Sequence, residues 1–395
     1  MVELSTSFSI DPGAPWVRKH NSEAMEVLEA FEIDRPIRVP LVSANAFCQH
    51  GFYIEEVSMD MARYFTDPDV MLWVQLEAAR RRRELPICDF ILGEKPESWP
   101  VTVDQHPIIP YGWAGCELVF PPNNFPGSRS MNLPKHDCLA MQMPDLEEGG
   151  ILVKIHWFLQ YLKEKYECRI TFLGRPVGPV YPFVVTYGVF DLAMAIRGQD
   201  LMVDMYEDPE FADAFILKIA GWCKRLADNW GERNGNVQNG FPFVDSPSPA
   251  SDHGIDMLPP ELYERFIVPA IKESNRGRTM KWGTCLHHCG RGVHLFPIIK
   301  KHFGLTHLEA LTFPYVDIAR VRSELGAELW IIGGVADNIV AQGPPERIRQ
   351  TVKELMESGA KGKGRFCLQI GDMVPGTPIE HRIAYYEAVK EFGRY

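Results

Sequence analysis

The spacing of apolar positions changes period repeatedly along the chain, and each change marks a predicted element. Near the start, Met25, Val27, Leu28 and Phe31 recur at helical spacing behind Ser22, a favourable capping residue, so residues 1–35 read as an N-terminal helical arm. Residues 37–47 form a β-prone run, and from 59 to 84 the period is helical again. Further along, 150–166 reads as helix, 168–180 as extended chain, and 208–230 as an amphipathic helix opened by Asp208 and Pro209. The C-terminal half repeats one theme. Extended runs at 239–246, 278–288, 305–313, 327–335 and 364–372 alternate with helical periodicity at 260–274, 293–303 and 344–359. Strands separated by helices imply parallel βα units, and this many of them predict an α/β fold, a (β/α)8 TIM barrel spanning 1–395 as one domain.

Between 96 and 146 the periodicity fails: prolines are dense and Trp99, Trp113 and Phe120 are scattered among them. A linker would be polar and poor in aromatics, so this segment is expected to be an insertion lying over one face of the barrel. Apolar residues make up 46% and charged residues 24%, enough core for a globular protein without staples. The formal net charge of −11 gives no basic footprint for a phosphate backbone, which argues against nucleic acid as a partner. The basic block Arg80–Arg83 follows an apolar periodic run and reads as a solvated helix C-terminus, where cations complement the dipole. No apolar run approaches a membrane span and residues 1–15 lack the layout of a signal peptide, so a cytoplasmic location is expected. The nine cysteines then read as thiols or ligands, not as a disulfide framework.

In barrels of this class, chemistry collects at the C-terminal ends of the strands. Several unusual residues fall there: His287 and Cys289 in TCLHHCGRG, Glu309 in LTHLEALTF, Asp337 in GGVAD, Asp372 in LQIGD, and Asp252 with His253 after the run at 239–246. A histidine and a cysteine two apart can turn an imidazole nitrogen and a thiolate toward one zinc ion, while His288 between them points away. Glu309 either completes the ligand set or holds a histidine in place. Asp252 either accepts a proton or orients a hydroxyl, or else caps the following helix.

These segments resemble the uroporphyrinogen decarboxylase superfamily. SDHGIDMLPPELYERFIVPAIKE is similar to its segment of an acidic residue and glycine followed by LSPE, and LHHCGRG is similar to the His-x-Cys-Gly segment of its cobamide-dependent methyltransferase branch. SELGAELWIIGGVAD and GDMVPGTPIEHRIAYYEAVKEFG match the closing pattern, and the likeness runs from about residue 37 to the end. The resemblance implies the barrel, and zinc held by His287, Cys289 and a group further along. Spacing favours Cys367 for that group. Alignment on GTP favours Asp372, because Cys367 falls early in its strand and is expected low in the barrel.

The decarboxylase's substrate-binding run of Arg-Pro-x-Trp-x-Met-Arg has no counterpart in DRPIRVPLVSANAF. The resemblance therefore implies transfer of a methyl group from a methylated small molecule, such as a methoxylated aromatic, to the Co(I) cobamide of a corrinoid protein that binds transiently. Asp252, His253, Glu309 and Asp337 would be the catalytic side chains. The alternatives are zinc-dependent methylation of a thiol of the coenzyme M type, decarboxylation, and a non-catalytic corrinoid-binding barrel. No corrinoid-carrying Asp-x-His-x-x-Gly segment occurs, so the cobamide arrives from outside the chain, and homo-oligomerisation stays open.

Overall fold

A computed structural model describes residues 4–43, 60–105, 108–122, 124–182, 188–234, 252–277, 284–370 and 377–395. The strands that position the site are β1 (Leu41–Ser43), β2 (Trp99–Val103), β3 (Arg175–Pro182), β4 (Thr284–His287), β5 (Leu305–Phe313), β6 (Trp330–Val335) and β7 (Phe366–Ile370). Five of them form one sheet in the order β1-β7-β6-β5-β4, with every neighbouring pair parallel. A second arc pairs β2 with β3 in parallel, and the short strand Thr171–Phe172 runs antiparallel beside β3. The architecture is therefore α/β with a parallel core. The predicted extended run at 239–246 lies outside the described residues.

The period of two sorts the large sheet into two faces. Leu41, Leu286, Leu308, Ile331 and Leu368 join the main core beneath the helices. Val42, Cys285, Ile332 and Cys367 turn to the other face and form a separate apolar cluster with Phe31.

The helices follow the sequence signals, with differences that have local causes. The arm helix, α1 (Pro15–Glu32), begins before Ser22, because Pro15 has the fixed φ of a first helical turn and lacks the N–H that would go unpaired there. It buries Val17, His20, Ala24, Val27 and Phe31, so the stripe is set from Val17 and Met25 faces outward. The region 59–84 is two helices, Met61–Thr66 and α2 (Pro68–Arg82). They part at Asp67, which Pro68 holds extended; the Asp67 carboxylate accepts from the N–H groups of Asp69 and Val70. The arginines closing α2 are not a solvated end: Arg80 pairs with Glu77 at 2.7 Å and Glu84 at 2.5 Å, and Arg82 lies 3.8 Å from the Phe90 ring centroid.

In the 96–146 stretch, residues 99–103 are β2 itself, and a two-stranded ribbon of Leu118–Val119 with Gly127–Ser128 follows. The helix predicted over 260–274 contains a π turn, Tyr263–Ile267, just before Pro269 removes a backbone donor.

One buried ion pair joins the sheet's edge to both ends of the described chain. The Asp89 carboxylate receives two guanidinium N–H groups of Arg38, the backbone N–H of Leu41 at 2.8 Å and the hydroxyl of Tyr386 at 2.8 Å. Asp89 thus fixes β1 against the C-terminal helix, α3 (Ile379–Phe392). Replacing Asp89 with Ala strands the Arg38 charge in the interior and is expected to cost about 3–5 kcal/mol in chemical denaturation, whereas Arg38→Met with Asp89→Leu should cost much less. Equal losses in the two variants would show that the charge pair is not what holds this edge.

Candidate metal centre

The site begins with strand register. In the β4–β5 pair, His287 stands opposite Glu309, so both side chains leave the sheet on the same face. Glu309 Oε1 meets His287 Nδ1 at 2.5 Å, which fixes the imidazole and leaves Nε2 turned the other way. Immediately beyond Glu309 the β5–β6 register slips, and Ala310 takes a left-handed φ of 68°. Such bulges re-aim the side chains beside them.

Cys289 follows two residues after His287 on a loop clasped by Asp256. The Asp256 carboxylate accepts the N–H of Arg291 at 2.5 Å, and a Cβ added at Gly290 would lie 2.2 Å from that carboxylate. His288 is fully buried: its Nδ1 faces the Asp252 carbonyl at 3.3 Å, and the Gly292 N–H donates to its Nε2 at 3.0 Å. The alternation therefore sends His287 and Cys289 to the site and His288 to the interior.

The third donor is His253. Its ligand atom lies with those of His287 and Cys289 within 4.8 Å of one another, and the two imidazole rings are 6.1 Å apart, edge to face. Asp191, in the first turn of helix α4 (Val189–Arg197), holds this histidine. The carboxylate faces His253 Nδ1 at 3.1 Å and accepts the N–H groups of His253 at 2.8 Å and Gly254 at 2.7 Å. Both imidazoles thus have a carboxylate at Nδ1, and both hydrogen-bond the Cys289 thiol.

Electrostatics match this geometry. Hydrogen bonds from Asp191 and then Cys289 raise the His253 pKa to about 11. Burial opposes the charge on His287, but Cys289 and Glu309 outweigh it and bring the group to about 10. Burial opposes the Cys289 thiolate too, and His253 and His287 prevail, holding it at about 6. Asp252 lies beneath, 1% exposed, with Oδ1 accepting the Asp191 N–H at 3.0 Å and Oδ2 unpartnered among the described residues. Burial first, then the neighbouring Asp191 charge, push its pKa up to about 8. The approach is close: a Cβ on Gly188 would fall 1.7 Å from Asp252 Oδ1.

The donor set fits zinc. Two imidazole nitrogens and one thiolate suit a tetrahedral ion, whose ligand atoms stand about 3.5 Å apart, so the three need only a small closing movement and leave one position for a ligand. Carboxylates behind zinc-binding histidines fix the tautomer and strengthen the ligand.

The predicted residues divide as follows. His287, Cys289 and His253 come together, and Glu309 backs His287. Asp252 lies beneath them, where it accepts a first-turn N–H of α4 and so takes no part in capping the helix that follows it. Asp337 opens the helix Asp337–Gln342 after β6, outside the three-residue group. Asp372 lies outside the described residues. Cys367 is set among Phe31, Val42, Cys285 and Ile332, its thiol near the Pro40 carbonyl and its pKa pushed well up by burial. Its distance from the site is lateral, not one of depth: Cys367 pairs with Ile332, which pairs with Glu309, which pairs with His287. Three strand spacings of about 4.8 Å separate it from His287 along the sheet. Asp191 went unread in the sequence, where an acid in the first turn of FDLAMAIR looks like ordinary dipole compensation.

Residues 109–392 match the family of uroporphyrinogen decarboxylase (URO-D). No curated protein matches the chain. Among solved structures, a methyltransferase from Methanosarcina mazei shares the fold with a TM-score of 0.59 at 17% identity, covering 94% of this chain and 98% of its own. A putative vitamin-B12 independent methionine synthase from Listeria monocytogenes overlaps loosely, with a TM-score of 0.28 at 12% identity over 54% of this chain and 70% of its own. Among the described residues, no helix is long and apolar enough to cross a membrane. With the family match extending over most of its length, the chain belongs to the uroporphyrinogen decarboxylase family.

Proposed function

We propose that this protein is a zinc-dependent methyltransferase that removes the methyl group of a methylated small molecule, such as a methoxylated aromatic, and delivers it to the Co(I) corrinoid of a transiently bound partner protein. The observation that carries this reading is the His253–His287–Cys289 cluster with a carboxylate behind each imidazole. The fold shared with a methyltransferase agrees with it. The five-stranded sheet and the β2–β3 pair are then two arcs of one (β/α)8 barrel, with α1 as an arm.

The composition of the donor set supports the demethylating direction over thiol methylation. Two neutral imidazoles and a single thiolate leave more positive charge on a divalent ion than a set with two thiolates would. A bound zinc ion would supply Lewis acidity at the oxygen of an otherwise inert methyl ether, the requirement of the demethylating direction. A more neutral ion would favour a nucleophilic thiolate, as thiol methylation needs. The chain's own residues do the rest: Asp191 and Glu309 orient the imidazoles, and Asp252, pushed toward its neutral form by burial and by the Asp191 charge, limits the negative charge beneath them. Decarboxylation is disfavoured because residues 34–47 carry no counterpart of the decarboxylase's Arg-Pro-x-Trp-x-Met-Arg run, and Arg38 is committed to the buried Asp89 carboxylate.

Protein purified without chelators should hold close to one zinc per chain. His253→Ala and Cys289→Ala should lose it, while Cys367→Ala should keep it at a cost of about 1 kcal/mol or somewhat more in stability. Zinc that survives His253→Ala but not Cys367→Ala would move the third ligand to Cys367. Asp191→Asn and Glu309→Gln should each weaken zinc binding by about 10–100-fold in competition with a chromophoric chelator; unchanged affinity would deny them the supporting role.

The direction of transfer is testable by cobalt absorbance. Mixing the protein with reduced corrinoid protein and a panel of methoxylated aromatics should produce methyl-Co(III). Consumption of methyl-Co(III) by coenzyme M, with no donor demethylated, would reverse the assignment.

A further inference from the structure

Arg291 is placed as few surface arginines are. Among the described residues just beyond the C-terminal ends of β4, β5 and β6, namely 288–291, 314–317 and 336–338, it is the one lysine or arginine. Its guanidinium has no carboxylate partner among the described residues, although Asp252, Asp256, Glu309 and Asp337 all belong to the same end of the sheet. It lies instead over the ring of Tyr315, 5.1 Å from the centroid. Tyr315 follows β5, is 46% exposed, and receives a hydrogen bond from Asn338 Nδ2 at 2.7 Å. The backbone of Arg291 is held by the Asp256 carboxylate, two residues beyond Cys289. The cation is therefore anchored at its root by Asp256 and set at its tip against an exposed aromatic face, with no carboxylate paired to it among the described residues.

We infer that Arg291 and Tyr315 form a subsite for the carboxylate and ring of an aromatic acid, which makes the methyl donor a methoxylated aromatic acid and not a neutral ether. The guanidinium can take a carboxylate in a bidentate, charge-assisted pair while Tyr315 offers its face to the ring. A chain of net charge −11 repels such an anion at long range, so a local cation is what its capture requires. The inference rests on the donor-side reading above.

Benzoate separates the two, because it carries no methyl group and its binding is independent of any transfer. Calorimetric titration of the zinc-loaded full chain should show benzoate and 4-methoxybenzoate binding about tenfold or more weakly to Arg291→Gln than to the parent protein. Arg291→Lys should recover part of the loss, and 4-methoxybenzyl alcohol should bind the three proteins alike. In turnover, Arg291→Gln should raise KM for 4-methoxybenzoate with kcat little changed. Equal binding of benzoate by the parent and Arg291→Gln, at equal zinc content, would overturn the subsite. Inorganic phosphate binding more tightly than benzoate, and lost in Arg291→Gln, would also overturn it by assigning the arginine to a phosphate. Intact Arg291-dependent benzoate binding without methyl transfer from any methoxylated acid would instead remove the donor-side reading and leave the subsite standing.

Discussion

The pairing of His287 with Glu309 across β4 and β5 is the constraint on which the site depends. Side chains alternate along a strand, so a slip of one residue would send Glu309 into the helix-facing core and leave His287 without a partner. The register is guarded by the face opposite the site. Leu286 and Leu308 stand opposite each other and are both fully buried in the main core, so any slip would expose apolar surface and bury polar groups at once. The packing that makes the sheet stable is the same packing that aims the imidazole.

Around that pair the charges are arranged in alternation. Carboxylates at Asp191 and Glu309 face the imidazoles, the imidazoles face the Cys289 thiolate, and Asp252 beneath is pushed toward its neutral form. A buried Asp252 carboxylate beside Asp191 would be two like charges in a poorly hydrated place, and protonation relieves the conflict. The glycines follow from the same crowding: Gly188 and Gly290 sit where a methyl group would collide with the Asp252 and Asp256 carboxylates.

Much of this was legible in the chain itself, and the limits have physical causes. The extended run at 305–313 matches its strand residue for residue, and those at 327–335 and 364–372 contain theirs, because each is a nearly continuous apolar stretch buried on both faces. The His-x-Cys pair was legible because its two members are neighbours. His253 was visible as a rim residue, but its place as the third donor depends on Asp191, which arrives from a different helix about 60 positions earlier. Cys367 marks the opposite limit. Distance along the chain and depth along a strand are both readable, whereas the number of strands between two residues is set by sheet order, which no local pattern encodes. The start of α1 was misread because Ser22 offers a cap that Pro15 makes unnecessary.

The order β1-β7-β6-β5-β4 has a consequence for biosynthesis. Within the described sheet β1 pairs with β7 alone, and Pro40 and Cys367, which touch where the two strands meet, are 327 positions apart. A ribosome adding about 5–20 residues per second needs tens of seconds to cover that interval, so β1 waits that long for β7. During that wait Arg38 and Asp89 can already meet, since both belong to the early part of the chain, and their ion pair offers the nascent β1 a partner before the sheet exists. Tyr386, emerging last, then closes the same carboxylate from the other side and seals the seam.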